Sequence, residues 1–277
     1  MTGVAKRTTQ AVILARGLGT RMRRDSDVAL DGGQAIAAAS GAKGMMPFAR
    51  PFLDYVLSVL ADAGVTEAIL VIAPPPDDAS IRDYFESTAA GRRVSVRFAV
   101  QPEPRGTADA VYAARDAVRP APFLMLNSDN LYPLEACSVL AGIGGPGLVA
   151  FEADALVRES GIEADRVLRY ALIDSDADGF LRAIHEKPGF DHPLARSRTR
   201  LVSMNLWSFT TRIFDACARV VPSARGELEL ADAVTIAIRD FGERFRVLPM
   251  SAAVLDLSSR ADVAFVGRRL ASVTPRP

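Results

Sequence analysis

A glycine-rich segment with basic residues follows the first apolar run of the chain. The run Ala11–Ala15 (AVILA) leads directly into the sequence RGLGTRMRR, which contains Gly17, Gly19 and Arg21. Glycines let backbone N–H groups approach phosphate oxygens without interference from a Cβ atom. Arginine adds a permanent charge with a forked set of donors. The pattern is typical of a turn that binds the phosphates of a nucleotide.

The spacing excludes two well-known phosphate loops. The dinucleotide fingerprint G-x-G-x-x-G requires a third glycine where Met22 stands. The Walker A motif requires Gly-Lys-Ser/Thr, whereas Lys43 follows Ala42 and precedes Gly44. By itself the segment leaves two interpretations open, a nucleotide site and a tight turn with solvated arginines.

Other polar residues also permit both a chemical and a structural interpretation. Lys43 lies in a polar loop, and Asp129 lies in the sequence NSDN, which readily forms an Asx turn. Thr107 can cap the helix predicted to begin there. Glu186 and Lys187 belong to a Glu-Lys-Pro-Gly turn. Residue type alone does not decide between the two interpretations.

Apolar runs and helical patterns alternate in the first half, which favours βαβ units and a largely parallel sheet. The predicted strands are Ala11–Ala15, Ala68–Ala73, Val94–Val100, Phe123–Leu126, Gly147–Glu152, Arg169–Asp174, Phe180–His185, Leu201–Phe209 and Ala253–Leu257. The predicted helices are Pro51–Ala63, Thr107–Val118, Glu229–Arg239 and Arg260–Leu270. We expect one α/β domain over about residues 10–270, with a mixed, mostly parallel central sheet flanked by helices.

Composition restricts the class of partner and the compartment. Lys plus Arg and Asp plus Glu both number 33, so the basic excess that a nucleic-acid surface requires is absent. No apolar run approaches the roughly 18 residues of a membrane helix, and the first residues do not resemble a signal peptide. Cys137 and Cys217 lie among apolar neighbours, which predicts buried free thiols in a cytoplasmic protein.

Six motifs extend in order from about Ala11 to about Ala264. They are LARGLGTRM, KGMMPFARPFLDYVL, QPEPRGTADAV, NSDNLYP, EKPG and VLDLS. In this order they resemble the sugar-1-phosphate nucleotidyltransferase family. The resemblance implies a Rossmann-like nucleotidyltransferase fold and a magnesium-dependent enzyme that joins a nucleoside triphosphate to a sugar 1-phosphate and releases pyrophosphate. It implies a nucleotide half at about residues 10–135 and an acceptor half at about 136–270, and we expect no C-terminal β-helix domain.

The resemblance also assigns roles to individual residues. Arg21 and Lys43 would contact the triphosphate and stabilise charge as pyrophosphate leaves. Asp129 and Asp256 would bind Mg²⁺, which prefers carboxylate and phosphate oxygens. The nucleotide-binding set is Leu14, Ala15, Arg16, Gly17, Gly19, Thr20, Gln101, Gly106 and Thr107. The sugar-phosphate-binding set is Tyr170, Glu186, Lys187 and Asn205.

Within that scheme the amide of Gln101 pairs with a base edge, and Gly106 leaves room for the ring. The segment GTADAVY is most similar to members that transfer an adenylyl group. The acceptor phosphate, with a second pKa of about 6, is largely a dianion at neutral pH and needs no general base. This agrees with a chain that has only two histidines, His185 and His192, for which we expect a structural or surface role.

Several positions depart from the family pattern. Arg16 replaces a small residue, and its side chain either touches phosphate or points to solvent. The stretch Arg24–Ala42 is longer than usual and is predicted to form a short helix or lid. Ala171 and Asn205 stand where glycine is common, which leaves the sugar open. Two alternatives follow, a catalytically silent regulatory subunit that binds an NDP-sugar and a nucleotidyltransferase with a non-sugar phosphate acceptor. The sequence is also compatible with a homo-oligomer.

Overall fold

The computed structural model describes residues 7–24, 27–77, 79–167, 169–186, 191–197 and 200–277. Within these residues the strands are β1 (Gln10–Leu14), β2 (Glu67–Ile72), β3 (Ser95–Val100), β4 (Phe123–Asn127), β5 (Asn130–Leu131), β6 (Gly147–Glu152), β7 (Leu172–Ser175), β8 (Leu181–His185), β9 (Leu201–Phe209), β10 (Arg246–Met250) and β11 (Leu255–Asp256). The helices are α1 (Thr20–Arg23), α2 (Gly32–Ser40), α3 (Phe52–Asp62), α4 (Ala79–Ser87), α5 (Thr107–Ala113), α6 (Leu134–Gly142), α7 (Ala153–Ser160), α8 (Ala164–Val167), α9 (Arg212–Cys217), α10 (Leu230–Phe241) and α11 (Arg260–Leu270). Short 3₁₀ helices occur at Lys43–Met45 and Pro193–Arg196.

A nine-stranded sheet forms the centre of the described fold. Its main path runs β10-β6-β9-β4-β1-β2-β3, and β7 pairs with both β8 and β9. Strand β9 runs antiparallel to β4 and β6, whereas β1, β2, β3 and β4 are parallel to one another. The expected mixed sheet with mostly parallel strands flanked by helices is confirmed. A separate pair, β5 with β11, is antiparallel.

Two apolar layers cover the two faces of this sheet. Within β1, Ala11 and Ile13 belong to the layer that contains residues of α3 and α6. Val12 belongs to the opposite layer, with residues of α5, α9 and α10. This alternation follows from the period of two along a strand, which sends successive side chains to opposite faces. Strand β1 is therefore covered on both sides, as its continuous apolar sequence predicts.

The order of the strands places a switch point beside β1. The chain passes from β1 to β2 on one side, while β4 pairs with β1 on the other side. In open α/β sheets, ligands bind beyond the carboxyl ends of strands at such a reversal. The glycine-rich segment follows β1 directly and therefore lies at this position.

Most predicted elements occur near their expected bounds, with some corrections. The Thr107–Val118 helix is shorter than predicted, because α5 ends at Ala113 and turns follow it. The predicted strand Ala253–Leu257 is reduced to the two residues of β11. Within the long Arg24–Ala42 stretch, the described residues form the expected short helix, α2, which begins with a capping box between Asp31 and Gln34.

Two expectations from the composition concern the cysteines and the length of apolar helices. Cys137 and Cys217 are buried and unpaired, as predicted. Among the helices that the structure describes, none has the length and apolar character needed to cross a membrane.

Candidate active site

A cavity of about 450 Å³ opens at the carboxyl end of β1. Its lining includes many of the predicted site residues, namely Leu14, Ala15, Arg16, Gly17, Gly19, Thr20, Arg21, Lys43, Gln101, Gly106, Thr107 and Asp129. Four elements bring them together: the segment after β1, the 3₁₀ helix at Lys43–Met45, the segment between β3 and α5, and the end of β4. The sequence motifs for the nucleotide half therefore converge on one cavity.

The cavity also has lining residues that the sequence reasoning did not select. They are Leu18, Gly41, Pro104, Ala110, Asn127, Ser128 and Glu227. Pro104 and Ser128 lie inside two of the six motifs, so the sequence could have identified them. Glu227 lies in the segment before α10, far along the chain from the nucleotide motifs, and no local pattern marks it.

The two glycines of the first loop, Gly17 and Gly19, have different surroundings. Gly19 has a φ of 60°, and a Cβ atom there would lie 2.5 Å from the Cα atom of Gly41. Its absence allows the loop to contact the end of α2. Gly17 has open space where its Cβ atom would be, since nothing lies within 4 Å. Gly17 is therefore the position in this loop at which a ligand can approach the backbone closely.

Arg16 contacts the segment between β3 and α5, so its side chain does not simply point to solvent. Its Nε atom donates to the carbonyl of Gln101 at 2.9 Å, and a terminal nitrogen donates to the carbonyl of Pro102 at 3.2 Å. The guanidinium is thus held by two backbone carbonyls at the edge of the cavity. It connects the two chain segments that border the cavity.

The Gln101 side chain is buried and held in one orientation. Its Nε2 atom donates to Asp109 Oδ2 at 2.8 Å and to the carbonyl of Gly106 at 3.2 Å. The other oxygen of Asp109 accepts from Arg105 at 2.5 Å. Both partners of Nε2 are acceptors, which fixes the assignment of the amide atoms. Among the described residues none donates to Gln101 Oε1, so this oxygen is the remaining atom for pairing.

Gly106 and Thr107 serve the packing of this segment in ways the sequence did not indicate. A Cβ atom on Gly106, whose φ is 129°, would lie 2.4 Å from the carbonyl oxygen of Leu228. The backbone before α10 therefore occupies the space that a side chain at position 106 would need. Thr107 does not cap α5; the N-cap is Gly106, and the Thr107 hydroxyl accepts from the backbone N–H of Leu230 at 2.9 Å.

Lys43 and Asp129 form an ion pair in the lining of the cavity. Lys43 Nζ lies 2.7 Å from Asp129 Oδ2, and the two side chains are 16% and 20% exposed. No described residue donates to the other oxygen, Asp129 Oδ1. Arg21 lines the same cavity and is exposed. Two cations and one partly available carboxylate therefore face the space after the glycine-rich loop.

Asp256 lies beside Asp129 but is surrounded by protein donors. Pairing of β5 with β11 aligns Asp256 with Asn130, and the backbone N–H of Leu257 donates to the Asp129 carbonyl at 2.8 Å. The Asp256 carboxylate accepts from Arg166 and from the Tyr170 hydroxyl. Burial, followed by the charge of Asp129, raises the pKa of Asp256. The described residues contain no cluster of three or more side chains suited to a metal.

None of the described acceptor residues that the sequence predicts lines the cavity. Tyr170 contacts Asp256, and burial raises its pKa above the usual value for tyrosine. Glu186 follows β8, and desolvation, then the charge of Glu229 before α10, raises its pKa. Lys187 lies outside the described residues. Asn205 lies within β9 with a φ of 59°, a left-handed conformation that glycine adopts freely and asparagine tolerates. This explains why asparagine can stand where glycine is common.

Comparison with known proteins decides the family. A family model described as nucleotidyl transferase matches residues 10–249 of the chain. The chain belongs to the nucleotidyl transferase family. The resemblance to sugar-1-phosphate nucleotidyltransferases that the six motifs indicate is thereby confirmed.

Curated relatives of this nucleotidyl transferase agree with that class. UTP–glucose-1-phosphate uridylyltransferase AglF of Haloferax volcanii is 27% identical over 230 residues, covering 83% of this chain and 84% of the relative. A glucose-1-phosphate thymidylyltransferase of Xanthomonas campestris is 29% identical over 230 residues, covering 80% and 67%. The low-salt glycan biosynthesis nucleotidyltransferase Agl11 of Haloferax volcanii is 26% identical, and the match spans 57% of its length.

A solved structure supports the nucleotidyl transferase fold. The crystal structure of UDP-glucose pyrophosphorylase complexed with UDP-glucose superimposes with a TM-score of 0.72, covering 96% of this chain and all of that chain at 15% identity. The Rossmann-like nucleotidyltransferase fold expected from the motifs is confirmed.

Proposed function

We propose that this chain transfers a uridylyl or thymidylyl group from UTP or dTTP to a sugar 1-phosphate, in a magnesium-dependent reaction that releases pyrophosphate. The reaction class follows from family membership and from the cavity that collects the donor motifs. The fixed orientation of the Gln101 amide disfavours adenine and cytosine. Guanine also carries a ring N–H, so the choice of uracil or thymine over guanine rests on relatives named uridylyltransferase and thymidylyltransferase.

That orientation leaves an acceptor, Gln101 Oε1, as the pairing atom. Uracil and thymine carry an N–H at N3, which can donate to such an oxygen. Cytosine and adenine have an unprotonated ring nitrogen at the equivalent position, and it would face Oε1 as a second acceptor. A buried acceptor that meets another acceptor costs about 1–3 kcal/mol. Relatives named uridylyltransferase and thymidylyltransferase support this choice over the adenylyl group that GTADAVY suggested.

The phosphate end of the cavity suits the donor triphosphate. Arg21 and Lys43 supply positive charge, and the open backbone at Gly17 offers N–H groups. In nucleotidyl transfer, catalysis consists mainly of positioning and charge stabilisation. An oxygen of the acceptor phosphate forms a new bond to the α-phosphorus while the bond to pyrophosphate breaks. No proton needs to be removed from the attacking dianion, so the absence of a histidine from the described lining is consistent with the reaction.

The described carboxylates fit a magnesium ion at Asp129. Mg²⁺ commonly takes one or two carboxylates together with substrate phosphates and water. Oδ1 of Asp129 is available at the cavity, whereas both oxygens of Asp256 accept hydrogen bonds from the protein. When bound, the metal would neutralise phosphate charge. Lys43, on the other oxygen of Asp129, would hold that carboxylate in place.

The test is a matrix of substrates with purified protein and Mg²⁺. UTP, dTTP, CTP, ATP and GTP are each combined with several sugar 1-phosphates and with phosphocholine, and pyrophosphate release is measured. We expect turnover with UTP or dTTP and a sugar 1-phosphate, and none with Asp129→Asn. The exposed Asp116 offers a matched control, because Asp116→Asn removes a charge away from the cavity.

The other outcomes identify the alternatives. Turnover with phosphocholine only would establish a non-sugar acceptor. Binding of UDP-glucose without turnover on any pair would favour a silent regulatory subunit. Turnover with ATP alone would show that the Gln101 orientation does not select the base.

A further inference from the structure

The carboxylate of Asp256 forms an ion pair with a side chain of the protein itself. Its Oδ2 atom accepts from the Arg166 guanidinium at 2.5 Å and from the Tyr170 hydroxyl at 2.8 Å. Its Oδ1 atom accepts from Ser258 Oγ at 2.7 Å. Each oxygen of Asp256 is thus engaged, one of them with a full positive charge.

Arg166 is held in this position from a second side. Another nitrogen of its guanidinium donates to Asp262 Oδ1 at 2.8 Å. The remaining oxygen of Asp262 accepts from the backbone N–H groups of Ser258 and Ser259 at the start of α11. The side chain of Arg166 is 14% exposed, so solvent screens this arrangement little. Arg166 is therefore a fixed part of the site rather than a surface cation that happens to lie near it.

The position of Arg166 conflicts with a metal ion on the same carboxylate. Asp256 pairs with Asn130, the residue after Asp129, so a metal shared by the two aspartates would lie close to the guanidinium. Two positive charges a few ångströms apart repel each other, and Lys43 would repel a metal on Asp129 as well. The two carboxylates differ because Asp129 keeps Oδ1 without a described donor, whereas both oxygens of Asp256 are engaged. Arg–carboxylate pairs are short, charge-assisted hydrogen bonds that a metal would have to displace.

We infer that Arg166 is the resident cation of Asp256, so that Asp129 is the aspartate that binds the divalent cation, together with substrate phosphates. Arg166 lowers the affinity of the substrate-free protein for metal, and the metal arrives with the triphosphate. The inference rests on the proposed magnesium dependence, but it concerns binding and is tested without turnover.

The experiment measures Mn²⁺ binding to the substrate-free protein by the electron paramagnetic resonance signal of free Mn²⁺. The proteins compared are wild type, Arg166→Met, Asp256→Asn, Asp129→Asn and the double variant with Arg166→Met and Asp256→Asn. We expect Arg166→Met to bind Mn²⁺ at least tenfold more tightly than wild type. Asp256→Asn alone should change the affinity by less than about twofold, and in the double variant it should remove the gain.

Two results would overturn the inference. One is an Arg166→Met protein that folds and binds Mn²⁺ no better than wild type. The other is a wild-type protein whose Mn²⁺ binding is weakened as much by Asp256→Asn as by Asp129→Asn, which would make Asp256 a ligand despite Arg166. If Arg166→Met does not fold, Arg166→Gln replaces it, because glutamine keeps a donor but removes the charge. The Asp256→Asn comparison with wild type needs neither variant.

Discussion

The side-chain amide of Gln101 donates to Asp109 at 2.8 Å, and this hydrogen bond joins the base-reading residue to the first turn of α5. Gln101 is 3% exposed and Asp109 is 9% exposed. As a carboxylate Asp109 can only accept hydrogen bonds, and its other oxygen accepts from Arg105. A carboxylate in this position therefore dictates which end of the Gln101 amide remains for a ligand.

Asp109→Asn should weaken the discrimination between UTP and CTP. In this variant Arg105 needs the one remaining side-chain oxygen, so the introduced NH₂ group faces Gln101 Nε2 and raises the population of the flipped amide, against the Gly106 carbonyl that still accepts from Nε2. The flipped amide presents a donor, which matches the unprotonated N3 atom of cytosine. We expect the ratio of kcat/KM for UTP over CTP to fall about tenfold, the effect of one misplaced hydrogen bond. Steady-state kinetics with both nucleotides measures this ratio.

Asp116→Asn is the control for that substitution, since Asp116 is exposed and its ion pair, with Arg115, does not involve Gln101. A wild-type enzyme that prefers UTP, together with an Asp109→Asn variant of unchanged ratio, would contradict the orienting role of Asp109.

Arg16→Gly should loosen the base-reading segment. Arg16 holds the carbonyls of Gln101 and Pro102, and without it the segment must be ordered when the nucleotide binds. We expect KM for the nucleotide to rise about fivefold, equivalent to the ~1 kcal/mol of a typical hydrogen bond, with kcat nearly unchanged. Kinetics gives the split, and amide hydrogen exchange over residues 101–106 should become faster.

Arg16→Lys tests the geometry of that contact. Lysine keeps the charge but lacks the fork that reaches two carbonyls, so rescue should be partial. An unchanged exchange rate in Arg16→Gly would show that Arg16 does not order the segment.

The sequence predicted best the elements whose apolar pattern is regular over the whole segment. Strands Gly147–Glu152 and Leu201–Phe209 and helix Arg260–Leu270 have the predicted bounds. Strand β10, Arg246–Met250, was not predicted, because it contains Pro249 and lies at the edge of the sheet. Proline is tolerated at an edge, but it removes the pattern by which a strand is recognised.

The site was predictable in its motifs but not in its internal contacts. The glycine-rich loop, Lys43 and Asp129 meet at one cavity because strand order brings their motifs together. Arg166 lies in none of the six motifs, and Asp109 lies in QPEPRGTADAV without any feature that marks its contact with Gln101. Arg166 lies 90 residues from Asp256 along the chain, so only the pairing of β5 with β11 and the placement of α8 reveal their contact.

Asn205 should be replaceable by glycine but not by alanine. Its φ of 59° is left-handed, and a Cβ atom there costs roughly 1–2 kcal/mol unless the residue, like asparagine, is compensated locally. We expect Asn205→Ala to lower the free energy of unfolding by about 1 kcal/mol and Asn205→Gly to change it little. Denaturant unfolding measures both. Equal losses in the two variants would assign the effect to side-chain contacts instead of to backbone conformation.

The two thiols should be unreactive in the folded protein. Burial raises the pKa of Cys137 to about 12 and also raises the pKa of Cys217. Because the thiolate is the nucleophile, a raised pKa and lack of access both slow reaction with a disulfide reagent. We expect negligible reaction of native protein near neutral pH and reaction of both thiols after denaturation in guanidinium chloride. Rapid modification of native protein would contradict the burial of these residues.

Lys43→Met should abolish most turnover while leaving the fold intact. Lys43 contacts Asp129 at 2.7 Å, and the two side chains are 16% and 20% exposed, so loss of the ion pair leaves a largely buried carboxylate and lowers the free energy of unfolding without abolishing folding. In the proposed reaction the ammonium would stabilise charge on the departing pyrophosphate. Removing one such group typically lowers kcat by about 10²–10³-fold. Pyrophosphate release measures kcat, and thermal unfolding verifies the fold. Lys43→Arg should recover part of the activity because it restores the charge. A folded Lys43→Met variant with kcat within a few-fold of wild type would place the phosphate chemistry elsewhere.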